Sequence, residues 1–212
     1  MKLSTLIFAM TAVLLSHNGF AIGDAAKPLQ QQWAIAKYQT DKTERAKAFE
    51  ALAKQAREIE RQQPDNAEVL VWVAIILSTY AGEKGGPGAL GLVKDAKALL
   101  EKAEAIDPNV LNGSIYTSLG SLYYQVPGWP LSFGDYDKAR AYLEKSLLID
   151  PDGIDSNYFY GDFMLRDGKY QQAANVLKKA LAAAPRPGRP IADAGRKEEI
   201  RAALAEAAAH LP

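Results

Sequence analysis

Apolar residues recur along this chain at three- and four-residue spacing, the period that lays a stripe down one side of an α-helix. Ala46, Phe49, Ala53, Ala56 and Ile59 form one stripe, and Leu70, Val73, Ala74 and Leu77 form the next. Ala96, Leu100 and Ala103, then Ala139, Leu143 and Ser146, then Ala173, Leu177 and Ala180 repeat the pattern. Four helical segments close on a similar phrase ending in proline: Glu60 to Pro64, Glu104 to Pro108, Leu147 to Pro151 and Leu181 to Pro185. These prolines stand 44, 43 and 34 residues apart, so the chain carries an internal period with two long members. Proline ends each unit because its ring cannot continue a helix.

Within residues 154–185, Tyr160-Gly161 is a large-then-small pair on a first helix, Gly168-Lys169-Tyr170 makes a turn, and Ala173, Leu177 and Ala180 mark a second helix. Small residues are required there because two helices of a hairpin approach closely only where side chains are short, with Gly161 expected to face Ala173. Residues 113–151 repeat the phrase with Tyr116, Leu119-Gly120 and Tyr123, then Gly134-Asp135-Tyr136, Ala139, Leu143 and Ser146, with seven extra residues between the helices. Residues 67–108 repeat it with Leu70, Val73-Ala74 and Leu77, then Gly91, Ala96, Leu100 and Ala103, with ten extra residues in the same place. A unit of about 34 residues with these markers resembles the tetratricopeptide repeat. The resemblance implies an all-α solenoid of helical hairpins with capping helices at both ends. The expected organisation is a leader at 1–21, amino-terminal helices and a degenerate repeat at 22–66, three repeats at 67–185, two of them with insertions read as rim loops, and a Pro-rich connector with a capping helix at 186–212. Asn112 and Asp193 are expected to be N-caps, and Ile200, Leu204 and Ala208 give the last helix its apolar stripe.

The stretch from Gly120 to Asp135, with Lys138-Ala139-Arg140 after it, resembles the T component associated with some tripartite ATP-independent periplasmic (TRAP) transporters. That resemblance implies a periplasmic helical protein that partners a solute-binding protein and holds or passes on a small apolar or acidic ligand.

Met1-Lys2, the apolar run from Leu3 to Leu15 and the small, polar stretch ending Gly19-Phe20-Ala21 have the layout of a secretory signal peptide, with cleavage expected after Ala21. The run is shorter than the roughly 20 residues that cross a bilayer core, so a soluble periplasmic product without stable membrane insertion is expected. The chain has no cysteine, which removes disulfides, zinc-thiolate sites and thiol nucleophiles. Twenty-five Lys and Arg balance 25 Asp and Glu, so the basic footprint of a nucleic-acid binder is missing.

The glycines of Gly86-Pro-Gly-Ala-Leu-Gly91 spell a dinucleotide-binding pattern, but eight residues separate them from the preceding β-branched run, whereas a pyrophosphate turn must begin where a strand ends. No P-loop, nucleophile elbow or metal-spaced His/Asp set occurs, and the carboxylate pairs fall on surfaces expected to be solvated. The chain is therefore expected to be no enzyme, to use no cofactor or metal, and to bind a protein or peptide partner as a scaffold or adaptor. On the inner surface of such a solenoid the first-helix positions turned away from the glycine-alanine seam are Val71, Trp72 and Ile75, then Thr117, Ser121 and Tyr124, then Tyr158, Phe159, Asp162 and Arg166. The binding surface is expected to centre on Trp72, Ile75, Tyr124, Tyr158, Phe159 and Asp162, overhung by Trp129 of the Pro127-Gly-Trp-Pro130 loop, because rigid aromatic residues anchor interfaces. Arg186, Arg189 and Arg196 are a further candidate group for gripping an anion.

Overall fold

The computed structural model describes residues 23 and 25–211. The leader expected at 1–21 lies outside them. Nine helices follow one another among the described residues: α1 (Ala26–Tyr38), α2 (Arg45–Gln62), α3 (Ala67–Lys84), α4 (Pro87–Ile106), α5 (Ser114–Gln125), α6 (Tyr136–Ile149), α7 (Ile154–Arg166), α8 (Tyr170–Ala182) and α9 (Pro190–Ala209). They form an all-α helical-repeat solenoid in which α3 packs on α4, α5 on α6 and α7 on α8 as antiparallel hairpins.

The third helix is the backbone of the amino-terminal half. Its run Val69 to Ala74 is buried on every side, which a helix tolerates only when neighbours surround it. Here α1, α2, α4 and α5 do so. Asn66 starts it by accepting the Val69 N–H at 3.3 Å on its side-chain oxygen, satisfying one of the orphan donors of the first turn.

The seams of the later hairpins are set by glycine. A Cβ on Gly120 would stand 2.6 Å from Leu143 Cγ, and one on Gly161 would stand 2.7 Å from Leu177 Cγ. Gly161 therefore meets Leu177, one turn along α8 from Ala173, the expected partner. Asp135 opens α6 by accepting the N–H groups of Asp137 and Lys138.

Several expectations are corrected. The ten extra residues of the 67–108 unit make no rim loop. Gly85 and Gly86, at φ 64° and 68°, turn the chain directly from α3 into Pro87, the first residue of α4. The extra length instead extends α3 and α4 to 18 and 20 residues, against 13 each for α7 and α8. Gly86 is the N-cap of α4, Gly88 and Gly91 lie within that helix, and the element before them is the helix α3 where a dinucleotide turn would follow a strand. Asn112 takes a left-handed conformation before Gly113, the residue that caps α5. Asp193 lies inside α9, whose N-cap is Arg189 and whose first residue is Pro190, where the missing N–H costs nothing. The buried side of α9 carries Ala192, Arg196, Ile200, Ala203 and Ala207, while Ala208 is exposed.

The last helix does more than cover the end of the stack. It packs on α8 and α7 and also reaches α1, joining the two ends of the solenoid. Gly195 makes this possible, because a Cβ there would be 2.2 Å from Tyr38 Cδ1. The Tyr38 hydroxyl donates to Glu199 Oε2 at 3.0 Å across the same seam. Burial pushes that phenol far above its ordinary range, so it stays a donor.

Candidate functional site

The first helices of the hairpins all turn one side inward, and with α9 closing the ring they bound a groove of 420 Å³. Trp33 and Lys37 enter from α1, Trp72, Ile75 and Thr79 from α3, Thr117 and Ser121 from α5, and Tyr158, Phe159, Asp162 and Arg166 from α7. Arg189 comes from the connector, and Arg196 and Glu199 from α9. The small Thr117 and Ser121 between the larger rings of α3 and α7 leave the space that is the groove.

Four of the expected binding residues line it as half-buried groups: Ile75, Tyr158, Phe159 and Asp162. Trp72 lines it as well but is only 3% exposed. The other two, Tyr124 and Trp129, do not line it. Tyr124 is buried in the core against Phe163 and lies behind the groove wall. Its hydroxyl donates to Asp162 Oδ2 at 2.6 Å, which makes it the support of a groove residue rather than a contact surface. Val71 is fully buried in the core. Trp129 is 90% exposed on the α5–α6 loop and does not reach the groove. That loop folds back on itself, with the Gly134 N–H donating to Pro127 O and Phe133 set edge-on to Tyr123.

One end of the groove holds a charge cluster. Asp155, on α7, accepts Arg186 Nη1 at 2.5 Å on one oxygen and Arg196 Nε at 2.8 Å on the other. Arg186 is further tied to Asp193 at 2.7 Å, and Arg196 to Glu199 at 2.5 Å. Burial works against the Asp155 charge, but the three arginines outweigh it and hold the carboxyl well below the usual range. Burial likewise opposes the Arg196 cation, and Asp155 leads the groups that raise it above its ordinary value. The Arg196 guanidinium also lies 4.3 Å from the Tyr158 ring centre and 4.8 Å from that of Phe159, so both aromatic walls are fixed by a cation held from behind. The burial of Tyr158 pushes its phenol up to about 12, keeping it neutral. The three arginines singled out in the sequence thus do converge on an anion, and it is the chain's own Asp155. That residue carried no local signal, since its partners lie 31 and 41 residues away.

At the other end, Lys37 pairs with Glu83 at 3.2 Å, and Trp33 Nε1 donates to Thr79 Oγ1 at 2.9 Å. A second recess, of 660 Å³, lies along the α1–α9 seam beside Tyr38 and Ile191. It shares Lys37 and Glu199 with the groove but borders neither the aromatic walls nor the three arginines, so the groove is the better candidate although the recess is larger. Among the described residues no group of three or more His, Cys, Asp and Glu is placed to hold a metal ion. No described helix is long and apolar enough to cross a membrane.

Comparison with known proteins agrees with this architecture. No curated protein matches the chain in sequence. A thermophilic tetratricopeptide-repeat protein of Thermus thermophilus superposes with a TM-score of 0.57 at 16% identity, covering 89% of this chain and all of that one. Residues 131–194, from the α5–α6 loop into α9, match the family model described as tetratricopeptide repeat, so the carboxy-terminal hairpins carry the repeat's sequence signature and the described chain carries its fold.

Proposed function

We propose that this chain is an exported scaffold or adaptor that recognises a protein partner by taking a short segment of it into the inner groove. The observation that carries the reading is the convergence of α1, α3, α5 and α7 on one groove with aromatic walls already held rigid. Its volume falls in the range of about 300–1,000 Å³ typical of small binding sites, which suits a few side chains and no more. Walls fixed by Arg196 and by the Tyr124–Asp162 hydrogen bond lose little entropy on binding. The leader at 1–21 supports export to the periplasm.

A second reading is favoured by the closure of α9 onto α1, which bounds the groove on both sides as a carrier would. In this reading the chain holds a small apolar or acidic ligand and works beside a periplasmic solute-binding protein, as the resemblance at Gly120–Asp135 to the TRAP-transporter T component implies.

Capture from a periplasmic extract followed by native mass spectrometry separates the two, since it weighs either a protein or a retained small molecule. Ser121 lines the groove and is half-buried. Ser121→Trp is expected to fill the groove and reduce capture at least about tenfold, equivalent to ~1.4 kcal/mol, with the melting temperature nearly unchanged. Equal capture by parent and variant would place recognition elsewhere on the molecule.

A further inference from the structure

Two groove-lining residues each carry a buried hydrogen-bond donor that has no partner among the described residues. Trp72 Nε1 is buried and accepted by nothing among the described residues, although the other buried indole, Trp33, has its acceptor in Thr79. Arg189 Nε is likewise buried and unpartnered. Arg189 Nη1 stands 3.8 Å from Asp155 Oδ2, beyond hydrogen-bond length, because Arg186 and Arg196 already occupy that carboxylate. A buried donor with no acceptor is destabilising, because it has given up water and gained nothing in return. Both residues line the groove, so an occupant that carries an acceptor can meet these donors.

The Arg189 guanidinium lies over the Trp72 ring, 5.5 Å from its centre. That distance runs from the guanidinium carbon to the ring centre and brings the two side chains to the same part of the groove. The side chain of Arg189 is 17% exposed, and burial lowers its ordinary value to about 10, which a new counter-charge would reverse. The rest of the cluster has no surplus charge, since Arg186, Arg189 and Arg196 face Asp155, Asp193 and Glu199. A single negative charge beside Arg189 therefore meets less repulsion from those three carboxylates than a phosphate dianion would.

We propose that the connector end of the groove is a carboxylate subsite, in which the Arg189 guanidinium and the Trp72 indole N–H hold a carboxylate of the occupant while Phe159 and Ile75 flank its apolar body. This assignment rests on the groove being the binding site. The carboxylate belongs either to the free carboxy-terminus of a partner segment or to a small organic acid.

The test uses the indole signals of the ¹⁵N-labelled protein. The chain has three tryptophans, so Trp72 is assigned by its loss in Trp72→Phe. Four probes are titrated to millimolar concentration: phenylacetate, phenylacetamide, acetyl-Ala-Phe with a free carboxy-terminus, and the same dipeptide amidated. The acids are expected to move the Trp72 signal in a saturable way and the amides to leave it in place. Tighter binding of the peptide acid assigns the carboxylate to a chain terminus; tighter binding of phenylacetate assigns it to a free acid. Arg189→Gln is expected to weaken the acid about tenfold or more. Trp72→Phe keeps a ring in the wall and removes an unsatisfied donor, so it should weaken the acid several-fold while leaving the melting temperature the same or higher. A merely structural indole would instead melt lower and leave acid binding untouched. Amides that bind as well as acids, or a Trp72 signal that no acid moves, overturn the subsite. The groove reading falls separately, through undiminished partner capture by Ser121→Trp.

Discussion

Asp155→Asn is expected to destabilise the protein by about 3–5 kcal/mol at neutral pH, the cost of removing one member of a buried ionic group and leaving its partners behind. Arg186 and Arg196 would retain Asp193 and Glu199, but three guanidinium groups would face one another without the carboxylate that separates them, and Arg189 would lose the counter-charge nearest to it. The effect depends on pH with a defined sign. The folded carboxyl is held well below the value of about 3.9 that it takes in an unfolded chain. The unfolded state therefore binds the proton first as pH falls. The stabilisation from Asp155 is fully present above about pH 4 and is lost below it, so the gap between parent and variant should narrow as pH is lowered from about 4 to 2. Urea denaturation of both proteins at neutral pH and near pH 3 measures it. Asp152→Asn is the control, since its pairing with Lys179 is 87% exposed on the aspartate side and worth little. A loss of less than about 1 kcal/mol for Asp155→Asn, or a gap that widens in acid, would show that the arginine cluster does not depend on this carboxylate.

Gly195→Leu is expected to cost about 3 kcal/mol, the upper end of what overpacking a tight contact does, and to open the ring. Even the first added carbon would lie 2.2 Å from Tyr38 Cδ1 and 2.3 Å from its Cγ, inside the ring's own volume. Neither helix can yield alone, because α1 is held by α3 and by the Trp33–Thr79 bond, and α9 by α7 and α8. The expected outcome is an α9 parted from α1, seen as faster amide exchange over 190–209 and 26–38 with 87–149, which touches neither helix, nearly unchanged. Uniform loss of protection would mean that the seam is no separate unit, and unchanged protection would mean that α9 does not close the ring.

The hairpin seams could be read from sequence because close approach of two helices demands a small residue at a fixed position. Gly120 and Gly161 stand where such a demand exists, and the prolines that end each unit set the register around them. Reading the inner face needed the same register and little else: Thr117, Ser121 and Gln125 follow one another at four-residue steps and all border the groove. Tyr124 fails by being one position from Gln125, about 100° around the helix, which turns it toward α7 and into the core. Val71 fails against Trp72 in the same way. The α3–α4 turn was misread because glycines signal a loop and a tight two-residue turn alike. Only the left-handed angles of Gly85 and Gly86 tell the two apart. Neither Asp155 nor the closure of α9 onto α1 had any local trace. Both depend on the last helix returning to the first, a contact bridged by a hydrogen bond between residues 161 positions apart. The cluster Arg186, Arg189 and Arg196 announced that an anion was needed without naming which.

The proposed function places recognition inside the ring. Site-specific photo-crosslinking tests it most directly, with a photoreactive side chain placed at Ser121 on the groove wall or at Leu148, which is 84% exposed on α6 and outside the groove. Irradiation in periplasmic extract is expected to attach the partner or ligand at position 121 and not at 148, and an excess of unlabelled parent protein should suppress the adduct. An adduct formed at 148 and absent at 121 would contradict the account and move the binding surface to the outer face.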